Sequence, residues 1–168
     1  RPGDPLRNIH WRSWARTGKP VVKEFHDEYF DRNALVLDTF APAGAAFEDA
    51  VSVAASFVTA DWGPDSLLDL LFVAPEAVRY TAGRGVGATS GMLELLACVE
   101  PCPPAQFAAL ANLVLGHAGR ISAAICVLQA WDAPRQALIG RLLAERRPVL
   151  ALVVTEPRRG FGSAAHAG

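Results

Sequence analysis

The acidic run Glu24, Asp27, Glu28 and Asp31 supplies the residue types of a paired general acid and base. Charge runs of this kind read instead as solvated faces that partner neighbouring cations. A second candidate, Gly83-x-Gly85-x-x-Ala88, formally satisfies a relaxed dinucleotide fingerprint. That motif has to follow the first strand of a βαβ unit directly and needs an acid roughly 20 residues onward. Here it follows an edge hairpin, Glu100 stands only twelve residues past Ala88, and there is no Gly-Lys-Ser/Thr for a P-loop. The stretch is read as a flexible turn leading to a helix cap. Cys98-x3-Cys102 lacks the usual zinc spacing, and Cys126 with His10, His26, His117 and His166 does not complete a ligand set. Buried thiols are the expectation. No Gly-x-Ser-x-Gly elbow is present, so hydrolase chemistry has no visible machinery.

The segment Arg1 to Lys23 differs in kind. It carries Arg1, Arg7, Arg12, Arg16, Lys19 and Lys23 against the single acid Asp4, together with Trp11 and Trp14. Arg and Trp are the side chains that most often anchor interfaces. Three roles fit. Asp4, Arg7 and Arg16 pin the segment to the domain by ion pairs while Ile9, Trp11 and Trp14 cap the core; or the segment is a surface for another protein or domain; or it is attracted to anionic lipid or nucleic acid.

The elements that must position these groups follow from periodicity. Ala34 to Leu37 is apolar on both faces, as suits a central strand, and ends at Asp38. Phe47 to Asp61 places Phe47, Val51, Ala54, Ala55 and Val58 on one helical stripe, stopped by Gly63-Pro64. Leu67 to Val73 and Ala77 to Thr81 read as strands whose short link permits only an antiparallel hairpin. A helix from Thr89 or Ser90 to about Val99 takes a hydroxyl as its N-cap. A further helix runs from about Ala105 to Gly116, a buried strand from Ser122 to Leu128, and a helix from Pro134 to Arg147 with Leu138, Ile139, Leu142 and Leu143 inward. Val149 to Val154 closes the sheet. Val21 to Phe25 alternates enough for an edge strand, and Arg158 to Gly168 reads as a frayed tail.

Composition bounds the classes. A chain of 168 residues that is 51% hydrophobic and 20% charged makes about one domain and excludes disorder as the main state. Sixteen Lys and Arg against seventeen Asp and Glu, net −1, remove the global basic signature of a nucleic-acid binder. Three cysteines suit a reducing compartment better than a disulfide framework. No apolar run approaches the roughly 18 to 20 residues of a spanning helix, and the start is not a signal peptide. Lacking an initial Met, the chain is expected to be a piece of a longer protein.

The string Arg1-Pro2-Gly3-Asp4-Pro5-Leu6-Arg7-Asn8-Ile9-His10-Trp11, continued by Ala15-Arg16-Thr17-Gly18 and Val22-Lys23-Glu24-Phe25, resembles the signature of the bacterial domain of unknown function 58 family. The resemblance covers Arg1 to roughly Asp38 by motif and the remainder only by its order of strands and helices. It implies a von Willebrand factor A-like α/β domain near the C-terminal side of a larger, often membrane-anchored bacterial protein. Members are commonly encoded beside MoxR-type AAA ATPases, which implies joint action in chaperone-like assembly or cell-envelope processes. No enzymatic activity is established for the family.

An A-domain usually carries Asp-x-Ser-x-Ser after its first strand, which with a distant Thr and Asp holds Mg2+ or Mn2+. The corresponding string here is Asp38-Thr39-Phe40-Ala41-Pro42, with no side-chain oxygen at either serine position. Thr89 matches the distant threonine, and Asp132 lies just past the fourth strand, so Asp38, Thr39, Thr89 and Asp132 are placed around a water-filled cleft. Losing two anchors should cost a hard cation most of its affinity. No metal and no cofactor is therefore expected, and an exposed Phe40 would favour docking of a partner.

The expected fold is α/β: a three-layer, von Willebrand factor A-like (Rossmann-like) domain with a mostly parallel sheet and an antiparallel edge hairpin. Residues 1–32 form the basic segment, 33–157 the domain and 158–168 the tail. The expected role is binding, not turnover. Asp38, Thr39, Thr89 and Asp132 are the expected contact residues from fold geometry; Arg1, Asp4, Arg7, His10, Trp11 and Arg16 are those implied by the family motif. The expected partner is a MoxR-type AAA ATPase, with no nucleic acid and with membrane attachment only through segments outside this chain. That places the domain in the cytoplasm and its parent at the inner membrane. The competing classes are a metal-dependent adhesive or hydrolytic A-domain and a purely structural module of a membrane protein.

Overall fold

Successive side chains of a strand point to opposite faces of its sheet, so a strand apolar at every position has to be covered on both sides. The computed structural model describes residues 31–63, 65–82 and 86–155, and its central strand β1 (Asp31–Leu37) behaves in this way from Ala34 to Leu37, after the polar Asp31, Arg32 and Asn33. Ala34 and Val36 enter one core cluster, Leu35 and Leu37 the other. Parallel partners flank it: β2 (Ser66–Val73) puts Leu71 opposite Val36, and β4 (Ala123–Leu128) puts Cys126 there from the other side. Strand β3 (Ala77–Ala82) pairs antiparallel with β2, and β5 (Val149–Val153) pairs parallel with β4. The five-stranded sheet has the order β3-β2-β1-β4-β5. The expected α/β architecture, mostly parallel with one antiparallel hairpin, is therefore present, and it is Rossmann-like.

Helices α1 (Ala45–Val58) and α2 (Val86–Ala97) cover the face that holds Leu35 and Leu37. Helices α3 (Phe107–His117) and α4 (Ala133–Ala144) cover the face that holds Ala34 and Val36. Each fully buried Leu or Val in these layers contributes about 1.5–3 kcal/mol relative to exposure. Among the described residues no helix is long and apolar enough to cross a membrane.

Several boundaries differ from the sequence reading. Helix α1 ends at Val58, three residues short of Asp61: Trp62 donates from Nε1 to the Phe57 carbonyl at 2.8 Å and closes the end before Gly63 is reached. Its buried stripe is Phe47, Ala50, Ala54 and Val58, with Val51 and Ala55 on the flanks. Helix α2 begins at Val86, so Thr89 and Ser90 lie inside it and neither is its N-cap. Helix α3 starts two residues later than Ala105, after the 3-10 turn Pro104–Gln106, in which Pro104 takes a first position where no intrahelical N–H bond is required. Leu143 is 54% exposed instead of inward. The fourth buried position of α4 is Arg135.

Helix α4 ends at Ala144, and Arg146 adopts φ 57 just beyond it. From there Arg146 N–H donates to Leu143 and Arg147 N–H to Leu142, the paired closure of a Schellman turn. Strand β1 starts at Asp31, slightly before the expected domain edge. Arg1, Asp4, Arg7, His10, Trp11 and Arg16, the strand expected at Val21–Phe25, the glycines 83–85 and the tail from Arg158 all lie outside the described residues.

Candidate functional site at the carboxyl end of the central strands

Because β1 leads toward β2 on one side and β4 leads toward β5 on the other, their carboxyl ends diverge at a topological switch point, the usual crevice of an open α/β sheet. Asp38 sits there, fully buried, and its N–H continues the ladder to the Val127 carbonyl at 2.9 Å. Its Oδ1 accepts from Phe40 N–H at 3.0 Å. Its Oδ2 accepts from Gln129 N–H at 3.0 Å and from Arg135 Nε at 2.6 Å.

Helix α4 delivers that guanidinium. Asp132 is its N-cap and accepts from Arg135 N–H at 3.2 Å, which fixes the first turn. One turn of helix then brings Arg135 Nη1 to 2.7 Å from Asp132 Oδ2 and Nη2 to 2.9 Å from the Phe40 carbonyl. The guanidinium lies 4.6 Å from the centroid of the Phe107 ring, and Phe40 meets the same ring edge-on at 6.0 Å. Arg135 is 4% exposed and Phe40 2%. Burial disfavours the charged guanidinium, but hydrogen bonding to Asp38, the charge of Asp38 and the Asp132 carboxylate outweigh it and hold the group above its ordinary value. The same buried layer pushes the Cys126 thiol up to about 12, first through desolvation and then through the Asp38 charge.

Thr39 is fully buried and turns the other way, donating from Oγ1 to the Val73 carbonyl at the end of β2. Its own carbonyl accepts from Cys102 N–H at 2.7 Å, so the loop after β1 is tied to both neighbouring connections. Thr89 belongs to α2, on the opposite face of the sheet from α4. The four residues expected around one cleft are thus not gathered: Arg135 joins Asp38 to Asp132, Thr39 is pinned separately, and Thr89 is elsewhere. Asp38 and Thr39 have no surface with which to touch a partner directly. Phe40, whose exposure would have favoured docking, is core.

These residues do not suit a divalent cation. Mg2+ needs near-octahedral oxygen coordination. Phe40 and Pro42 bring no side-chain oxygen, and a positive guanidinium already bonds the one carboxylate oriented inward. Among the described residues no group of three or more His, Cys, Asp or Glu is arranged to hold a metal. Nor is Asp38 suited to acid–base chemistry, since it is shut off from solvent and engaged through both oxygens.

What the site does present lies above the ion pair. Trp131 is 51% exposed, and the Asp132 side chain is 46% exposed. At the same end of the sheet is a cavity of about 260 Å³ bordered by Pro42, Gly44, Gln129 and Thr155, residues that follow β1, β4 and β5. The Gln129 Nε2 atom is buried and, among the described residues, has no hydrogen-bond partner. Sequence reading missed Trp131, Gln129 and Arg135. The signal for Arg135 was available: positions 135, 138, 139 and 142 follow the helical i, i+3, i+4, i+7 rule, which places a cation on the apolar stripe. No protein-family model matches the chain, and no curated protein matches it.

Proposed function

We propose that this chain is a non-enzymatic protein-interaction domain of von Willebrand factor A-like type that works with a MoxR-type AAA ATPase. The observation that carries the binding half of this reading is the exposed Trp131 beside Asp132 at the strand carboxyl ends, above a carboxylate already neutralised from within. An exposed indole next to a charged rim is the composition of an interface anchor. The Gln129 amide, buried without an acceptor at the edge of the adjoining cavity, adds a donor that a partner's carbonyl or carboxylate would satisfy.

The ATPase half of the reading, the membrane-anchored parent and the cytoplasmic placement rest on the resemblance that covers Arg1 to roughly Asp38 by motif. Arg1, Asp4, Arg7, His10, Trp11 and Arg16 form the second group of proposed contacts.

The test is direct binding of the full chain to a purified MoxR-type ATPase, with Trp131→Ala, Asp132→Ala and Arg7→Ala in parallel. Asp132 also caps α4, so the thermal midpoint of its variant is measured alongside. Trp131→Ala should weaken binding by roughly tenfold or more, the scale of an interface anchor. No binding by the wild type, or equal affinity for all four proteins, overturns the reading.

A further inference from the structure

A carboxylate withdrawn from water at the end of a central strand is strongly unfavourable unless a cation neutralises it. In many proteins the cation is a metal ion held by oxygen ligands. Here, among the described residues, the ion pair that Asp38 makes is with Arg135, and the guanidinium is over-determined. Nε bonds Asp38, Nη1 bonds Asp132, Nη2 bonds the Phe40 carbonyl, and Phe107 covers the planar face. The residue that brings no side-chain oxygen to the loop also supports this arrangement: the Phe40 backbone carbonyl accepts from Nη2 while its ring packs against Phe107.

We propose that Arg135 is a tethered counter-cation, delivered by α4 into the position beside Asp38 that a divalent ion would otherwise occupy, so that the crevice is complete without metal. The fold of this end of the sheet is then insensitive to chelation. The inference stands on the geometry of Asp38 and Arg135 alone and involves no partner.

Mn2+ serves as the probe, followed by its paramagnetic resonance signal and by thermal unfolding of the full chain. Wild type should leave Mn2+ free at millimolar concentration and unfold at one temperature with either Mn2+ or a chelator. Arg135→Ala should lower the midpoint by about 10 °C, the consequence of an uncompensated buried charge in a domain of this size. Mn2+ should raise the midpoint of that variant and not that of the Asp38→Ala/Arg135→Ala double variant. Should Arg135→Ala fail to fold, Arg135→Lys keeps the charge and is expected to fold with a lowered midpoint that Mn2+ does not move.

Sub-millimolar Mn2+ binding by the wild type overturns the proposal. So does an Arg135→Ala variant as stable as wild type, or one that is destabilised but indifferent to Mn2+, or an Arg135→Lys variant that Mn2+ stabilises. None of these outcomes bears on Trp131 as a partner contact, so failure here and failure of the proposed function remain separable.

Discussion

Arg135 Nε lies 2.6 Å from Asp38 Oδ2, although the two residues are 97 positions apart in the sequence. Removing Arg135 leaves the Asp38 carboxylate buried and unpaired, at a cost of about 3–5 kcal/mol, removing Asp38 leaves Arg135 with Asp132 and the Phe40 carbonyl, and removing both costs less than the sum. Urea unfolding of Asp38→Ala, Arg135→Met and the double variant should show a favourable coupling energy above about 1 kcal/mol. Additive effects would mean that the pair is not the organising contact of the crevice.

Cys126 gives the domain an alkaline limit. Its thiol is raised from 9.0 to about 12 in the folded protein, so above pH 9 the unfolded chain releases a proton that the folded one retains. Stability from this group is therefore complete below pH 9.0 and falls as pH rises toward about 12. The slope is about 1.4 kcal/mol per pH unit. Unfolding free energies measured across this range should decline less steeply for Cys126→Ala than for wild type, by about that slope.

The three thiols should separate by reactivity. Cys98 is exposed, whereas Cys102 and Cys126 are buried. Cys102 also donates to the Val73 carbonyl at 3.3 Å. Titration of the native protein with a thiol reagent near neutral pH should modify Cys98 rapidly and the other two only on unfolding. Fast modification of two thiols in the native state would contradict the burial of Cys102 or Cys126.

Arg146 holds a left-handed conformation at the end of α4, φ 57, that glycine adopts without penalty. Arg146→Gly should raise stability by about 0.5–1 kcal/mol, because relief of backbone strain exceeds the added freedom of the unfolded chain. Calorimetry should find a midpoint higher by about 1–4 °C.

The parts of this fold that were legible in the sequence are those governed by local patterning. The run Ala34 to Leu37 announced a doubly covered strand, and the short Ala74 to Glu76 link announced the hairpin. Helix starts were less legible: Thr89 and Ser90 are good caps in isolation, but the helix begins at Val86 regardless. The crevice was half legible. Asp38 could be placed at the end of the central strand, yet the missing oxygens at Phe40 and Pro42 suggested an open docking cleft. Its filling comes from a residue in a distant helix. Hydropathy assigns an Arg to solvent, and only its register with Leu138, Ile139 and Leu142 opposes that assignment.

The strand order has a consequence for how the chain acquires its shape during synthesis. Everything through His117 can form the β1-β2-β3 half of the sheet, but β1 then still lacks its β4 neighbour, and Asp38 has neither the Gln129 amide nor the Arg135 charge. A nascent or truncated chain that stops before β4 therefore exposes one long side of its central strand and carries an unneutralised carboxylate at its tip. The final third of the polypeptide supplies all three: the neighbouring strand, the amide and the counter-charge.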